Sequence, residues 1–65
     1  MCESHAYLIQ GDSEELVMEN VVHLAYAGDD LVITDLMGDT KQLKATVKEI
    51  KFMEHRIELE PRRTR

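Results

Sequence analysis

The sequence predicts an all-β domain, a small antiparallel meander of about six short strands that forms a partly open barrel. Its apolar residues occur in short segments that alternate with charged residues, a pattern typical of half-buried strands. These segments are rich in β-branched and aromatic residues and too short to favour helices. Glycine-containing turn signals separate them at hairpin spacing, and short strands joined in this way form small barrels.

The first half of the chain is predicted to hold four strands. Residues 2–10 alternate imperfectly and form the first strand, which residues 11–13 end in a turn. Residues 16–18 are apolar and flanked by glutamates, so they predict a half-buried return strand. Residues 21–26 predict a third strand. After a second glycine turn, residues 31–37 form the strongest strand in the chain, expected at the centre of the sheet.

The second half is predicted to complete the sheet after a further glycine hairpin turn. Residues 40–46 resume as a strand. Residues 47–53 are ambiguous, because the apolar spacing across residues 44–51 also fits one or two helical turns, although the local alternation favours a strand. Residues 56–60 alternate cleanly between charged and apolar side chains, and Pro61 ends this last strand.

The length of the chain, 65 residues, indicates one small domain over residues 1–60, followed by a basic tail at residues 61–65. A domain of this size buries only about 60% of its unfolded surface and needs additional stabilisation. A single cysteine excludes an intrachain disulfide, which leaves a metal ion or a partner chain. Because open barrels leave unpaired edge strands, we expect a homodimer.

The charge of the chain disfavours nucleic acid as a partner. Thirteen acidic residues against eight basic ones give a net charge of −5, which repels a phosphate backbone. Small barrels that bind RNA stack bases on exposed aromatic side chains, and this chain has two tyrosines, one phenylalanine and no tryptophan. No apolar stretch is long enough to span a membrane, and the first ten residues lack the features of an export signal. We therefore expect a cytoplasmic protein without membrane contact.

Catalytic motifs are absent from the sequence, so we predict that the chain is not an enzyme. There is no spacing that suggests a nucleophile with its base, no glycine-rich phosphate loop, and a barrel this small can hardly enclose a pocket. His23 and His55 are interpreted as structural histidines on strands. Met18, Met37 and Met53 lie in apolar segments and are interpreted as core residues rather than copper ligands.

The start of the chain carries the strongest chemical signal, because the one cysteine stands at position 2 beside the α-amine. If Met1 is removed, the amine and thiolate of Cys2 form an N,S pair, and two chains together would supply a planar N2S2 set. If Met1 stays, its amine, the Cys2 amide nitrogen and the Cys2 sulfur are successive donors. Thiolate and nitrogen donors in square-planar geometry favour Ni(II) or Cu(II) over structural zinc.

Two alternatives remain open for this segment. A lone cysteine is more often a small buried hydrophobe than a ligand. His5 lies three residues after Cys2, and in an extended chain the two side chains point to opposite faces of the strand. The sequence therefore leaves His5 either as a further ligand or as an ordinary strand histidine.

Several segments together resemble one family of small proteins. They are the start Met1-Cys2-Glu3-Ser4 with Ala6-Tyr7-Leu8, then Leu36-Met37-Gly38-Asp39, Val47-Lys48-Glu49-Ile50, and His55-Arg56-Ile57. In their order and in the length of the chain they resemble the CooT family, nickel-binding proteins linked to maturation of carbon monoxide dehydrogenase. The resemblance extends to about Leu59. It implies a cytosolic homodimer that binds one Ni(II) per dimer through Cys2 of each chain and serves a nickel enzyme. The alternative function is a small barrel that binds RNA or a protein partner without any metal.

Overall fold

Residues 3–62 of the chain are described by a computed structural model, and within them six strands form one sheet. The strands follow the order β4-β3-β2-β1-β6-β5 across the sheet. Their bounds are β1 Ser4–Gln10, β2 Ser13–Ala27, β3 Asp30–Asp35, β4 Thr40–Leu43, β5 Ala45–Lys51 and β6 Arg56–Pro61, with a 3-10 turn at Phe52–Glu54. No helix in this part of the chain is long and apolar enough to cross a membrane.

The predicted all-β, partly open barrel is confirmed, since the six strands form a curled half-barrel. Strand β3 packs against β5 although three strands separate them in the sheet, which requires the sheet to curl. One pairing departs from a pure antiparallel meander, because β6 lies parallel to β1. The hairpin of β5 and β6 returns to the free side of β1, and this places the first strand in the interior of the sheet.

In the ambiguous segment, residues 45–51 form a strand, Lys44 is a bend between β4 and β5, and the helical alternative is wrong. Strand β5 pairs with β6 along its length, from Ala45 opposite Pro61 to Lys51 opposite Arg56. Pairing with a neighbouring strand outweighs the weak helical spacing of this segment, because strand preference depends on cross-strand contacts.

The core fills the concave side of the curled sheet. Its most completely buried large side chains are Leu31, Ile33 and Leu59, which come from two strands that are distant in the sheet order. Around them lie the smaller or less buried members Ala6, Met18, Val21, Ala45 and Ile57. So few buried side chains confirm that the core of the described chain is small for a stable domain.

The two strands predicted at residues 16–18 and 21–26 are one continuous strand, which is a correction. Strand β2 passes through Asn20, whose φ of 56° lies in the left-handed region. The pairing with β1 shifts register here, as at a β-bulge. The extra residue allows Met18 and Val21 to face the core together, although a spacing of three would place them on opposite faces of a regular strand.

The interpretation of the methionines as core residues is correct for Met18 and wrong for the other two. Met18 is 8% exposed, whereas Met37 is 85% exposed and Met53 is 94% exposed. Strand β3 ends at Asp35, because the Asp35 carboxylate accepts hydrogen bonds from the backbone N–H groups of Met37 (2.9 Å) and Asp39 (3.0 Å) and closes a turn. Met37 therefore lies on this turn, and Met53 lies on the 3-10 turn.

Candidate functional site

The candidate site lies at the end of the sheet where the chain begins. Ser4 at the start of β1 pairs with Val21, and Val21 in turn pairs with Asp35. On the other side of β1, the backbone N–H of His5 donates a 2.9 Å hydrogen bond to the carbonyl of His55. Strand β1 is therefore held on both sides at its first residues, and the chain start emerges between β2 and β6.

Met1 and Cys2, the predicted metal ligands, lie outside the described residues. Glu3 is the first residue described, and Ser4 beside it is buried at 9% exposure. An extended chain spans at most about 3.3–3.6 Å per residue, so any donor on Met1 or Cys2 is tethered close to this end of the sheet. Glu3 and Ser4 are therefore the described residues that lie nearest in the chain to the predicted ligands.

A shallow depression of about 450 Å³ opens beside the chain start. Its lining residues are Glu3, His5, Asn20, Glu54 and His55. Within residues 3–62, however, no group of three or more histidine, cysteine, aspartate or glutamate side chains has a geometry that could hold a metal ion. A nickel ion bound here would need the amine and thiolate donors of the chain start, and those donors fit its preference for nitrogen and soft sulfur.

His5 links two strands through its imidazole ring. Its Nδ1 accepts a 3.2 Å hydrogen bond from the backbone N–H of Asn20, the residue in the left-handed conformation. A ring that accepts at Nδ1 carries its proton on Nε2, so neither nitrogen has a free lone pair for a metal. In this arrangement His5 has a structural role as the acceptor for the backbone N–H at the bulge. That His5 also ligates a metal stays a prediction.

The bulge also connects the chain start with the turn after β3. The Asn20 carbonyl accepts a 2.9 Å hydrogen bond from the N–H of Leu36, the first residue beyond β3. The backbone groups of Asn20 are thus bonded to β1 on one side and to the turn on the other. Sequence reasoning missed this role, although asparagine is one of the few residues enriched in left-handed conformations.

We expect His5→Ala to destabilise the domain without removing metal binding. The substitution removes the acceptor of the exposed Asn20 amide, which should cost about 0.5–1.5 kcal/mol of unfolding free energy. Urea unfolding measures the loss of unfolding free energy, and a Ni(II) titration of the same variant measures its nickel affinity. His23→Ala is the matched control, because His23 lies exposed on β2. Loss of nickel binding in a His5→Ala protein that remains folded would contradict this prediction and show that His5 is a ligand.

His55 occupies the second left-handed position beside the chain start, with φ of 55°. The sequence interpretation placed it on a strand, whereas it lies in the turn between the 3-10 segment and β6. Its N–H donates a 3.2 Å hydrogen bond to the Phe52 carbonyl, and its own carbonyl accepts from His5. The backbone of His55 thus anchors the chain start, while its side chain is exposed.

A charged cluster on the sheet surface explains why Tyr7 is a poor surface for stacking bases. The Arg56 guanidinium lies 4.1 Å from the centre of the Tyr7 ring. The same guanidinium donates hydrogen bonds to Glu14 at 2.7 Å and to Glu58 at 3.2 Å. The hydrogen bond to Glu14 is the largest influence that raises the pKa of Arg56 above its usual value. The guanidinium covers the Tyr7 ring and is itself paired with two carboxylates. Tyr7 therefore offers little surface on which an RNA base could stack.

Comparisons with known proteins assign the family. A family model described as CO dehydrogenase accessory protein CooT matches residues 1–60. A protein of Methanocaldococcus jannaschii, described as uncharacterized, is 35% identical over 60 residues, which are 92% of this chain and 98% of that protein. The crystal structure of a CooT candidate from Carboxydothermus hydrogenoformans matches with a TM-score of 0.90 and 35% identity, over 95% of this chain and 100% of that chain. The chain therefore belongs to the CooT family of CO dehydrogenase accessory proteins.

Proposed function

We propose that this protein is a nickel-binding accessory protein that carries or stores Ni(II) for a nickel enzyme and acts in CO dehydrogenase maturation. The observation that supports it most strongly is the family match over residues 1–60, which includes the cysteine at position 2. Membership of an accessory family favours a supporting role over catalysis by the chain itself. The nickel ion is the cargo of the protein.

Cys2 is the proposed ligand, together with the amine and amide nitrogens at the chain start, Met1 included if it is retained. Thiolate and nitrogen donors satisfy square-planar Ni(II), and two chains supply the four donors of an N2S2 set. His5 is committed to the Asn20 amide and is not needed in this set. Copper has the higher intrinsic affinity for such donors, so nickel loading depends on the supply of each metal in the cell.

The described residues contribute by holding the donors in place. Strand β1 pairs with β2 and with β6 from its first residues, so the chain start extends from the interior of the sheet. Few rotatable bonds separate Ser4 from the donors of Cys2, and little chain entropy is lost when the metal binds. Two such chain starts can share one ion without ordering a loop.

A Ni(II) titration of the reduced, untagged full chain tests the proposal. Native mass spectrometry should show one nickel ion per two chains, and absorbance spectra should show sulfur-to-nickel charge-transfer bands. The exposed histidines and carboxylates are the alternative ligands, and binding to them would give variable stoichiometry without those bands. Either that result or no binding would contradict the proposal.

A further inference from the structure

The first half of strand β2 has a strand partner on one side only. Strand β1 pairs with β2 between Ser13 and Val21, whereas β3, on the other side of β2, pairs with it only from Val21 to Ala27. Within the part of the chain that the structure describes, residues 13–19 therefore have no strand on the β3 side. We call residues 13–19 the free edge of β2. Unpaired backbone N–H and C=O groups along such an edge can pair with another extended chain.

The backbone of the free edge faces outward at alternate residues. In an antiparallel pair, successive residues direct their N–H and C=O groups alternately toward the partner strand and away from it. One carbonyl on the outward side is already used, because Lys41 of β4 donates a 3.1 Å hydrogen bond from its Nζ to the carbonyl of Val17. The edge therefore accepts donors from the side that β1 does not cover. A depression of about 480 Å³, lined by β2, β4 and the turn after β3, leaves room there for an added chain.

The charges of the free edge oppose pairing with a second copy of this chain. Glu14, Glu15 and Glu19 are all exposed, and the chain as a whole has a net charge of −5. Two such edges side by side would bring glutamates close to glutamates, and like charges opposite each other destabilise a strand pair. The Glu14 carboxylate pairs with Arg56 at 2.7 Å. Glu15 and Glu19 form no ion pair within residues 3–62, so the edge attracts a cationic strand and repels an acidic one.

The two faces of the free edge differ in polarity. Leu16 is 46% exposed and lies opposite Tyr7 of β1, on the face of the sheet that Arg56 also covers. Its neighbour Glu15 points to the other face, because successive side chains of a strand alternate. A strand laid against this edge would place its apolar side chains beside Leu16 and its cationic side chains beside Glu15.

We propose that the free edge of β2 binds an extended segment of a partner protein in which lysine or arginine alternates with apolar residues. In strand addition of this kind, main-chain hydrogen bonds to the edge supply affinity and alternate side chains supply specificity. Glu15 and Leu16 select the two alternating residue types. The inference goes beyond nickel binding, because it assigns a surface for a second protein and uses none of the proposed metal ligands.

A synthetic peptide tests this surface on the metal-free full chain labelled with nitrogen-15. The probe has nine residues, alternates valine with lysine and is blocked at both ends. Binding should shift the backbone amide NMR signals of residues 14–19 more than those of the edge strands β4 and β5. The matched control is the same peptide N-methylated at every peptide bond, which keeps all charges and has no backbone donor. Fluorescence anisotropy gives the dissociation constants, and we expect N-methylation to raise the constant about tenfold or more.

Three substitutions in the protein separate the charge of the edge from the charge of the whole chain. Glu15→Lys should weaken binding of the valine–lysine peptide about fivefold or more, because an attraction across the strand pair becomes a repulsion. Glu49→Lys makes the same charge change at an exposed position of β5, on the outermost strand beyond β1 and β6, and should leave binding unchanged at physiological salt. Lys41→Ala removes the competing donor to the Val17 carbonyl together with a positive charge, so it should tighten binding about twofold or more.

Circular dichroism checks the fold of each variant, and a gain of affinity in Lys41→Ala is a result that a damaged fold would not give. Amide shifts along residues 14–19, with weaker binding by Glu15→Lys and unchanged binding by Glu49→Lys, would support the free edge. Shifts that map to β4 or β5, or equal binding of the N-methylated peptide or of a valine–glutamate peptide, would overturn it. A folded Glu15→Lys protein that binds as tightly as wild type, or no binding at about 1 mM peptide, would overturn it as well.

Discussion

Replacing Cys2 with serine is expected to abolish tight nickel binding and leave the fold intact. A serine hydroxyl is a hard, protonated donor that cannot replace a soft thiolate. The loss of outer-shell partners alone costs about 10–100-fold in metal affinity, so the loss of a ligand should exceed about 100-fold. A competition titration against a chelator of known affinity measures the change.

Urea unfolding is the control for this variant. Cys2 precedes β1, and the core that the described residues form is built from side chains later in the chain, so we expect the metal-free variant to unfold at the same urea concentration as wild type. In wild type, nickel affinity should fall as pH falls, because protons compete for the thiolate and the amine. A folded Cys2→Ser protein that binds nickel as tightly as wild type would place the site elsewhere in the chain.

Truncation of Leu59 to alanine is expected to remove much of the stability of the domain. Leu59 is fully buried on β6, where it pairs with Leu8 of β1 and Val47 of β5. Leucine-to-alanine changes in cores cost about 2–5 kcal/mol, while a domain of this length has a stability of only about 3–10 kcal/mol. Urea unfolding at one fixed protein concentration measures the loss.

Ile50→Ala is the matched control for the core variant. Ile50 lies on β5 and is 40% exposed, so its truncation should cost less than about 1 kcal/mol. Fixed concentration matters because a dimer gains stability by mass action. Equal losses from Leu59→Ala and Ile50→Ala would show that the curled sheet does not have the core described above.

Much of the fold could be predicted from local patterns. Alternation identified the first and last strands, and the glycine turn before Thr40 was placed correctly. The position of Cys2 beside the α-amine suggested the metal chemistry without any structure. These features depend on neighbours in sequence, so the sequence carries them directly.

Contacts between segments that are distant in sequence decided the course of β2 and the exposure of two methionines. The prediction placed separate strands at residues 16–18 and 21–26, but the N–H of the left-handed Asn20 between them donates to His5 of β1, and the strand continues. The apolar segments that hold Met37 and Met53 looked like core, yet the turns that close after β3 and before β6 expose them.

The sequence by itself determined the class of fold and most of the turns, and it is the source of the proposal for donor atoms at the chain start. Only the tertiary structure decided that β6 lies parallel to β1, that His5 accepts a hydrogen bond from a backbone amide, and that Met37 and Met53 are exposed on turns. The physical reason is that backbone alternation and turn preference act over a few residues. Strand order, bulge pairing and exposure depend instead on which segments meet across the sheet.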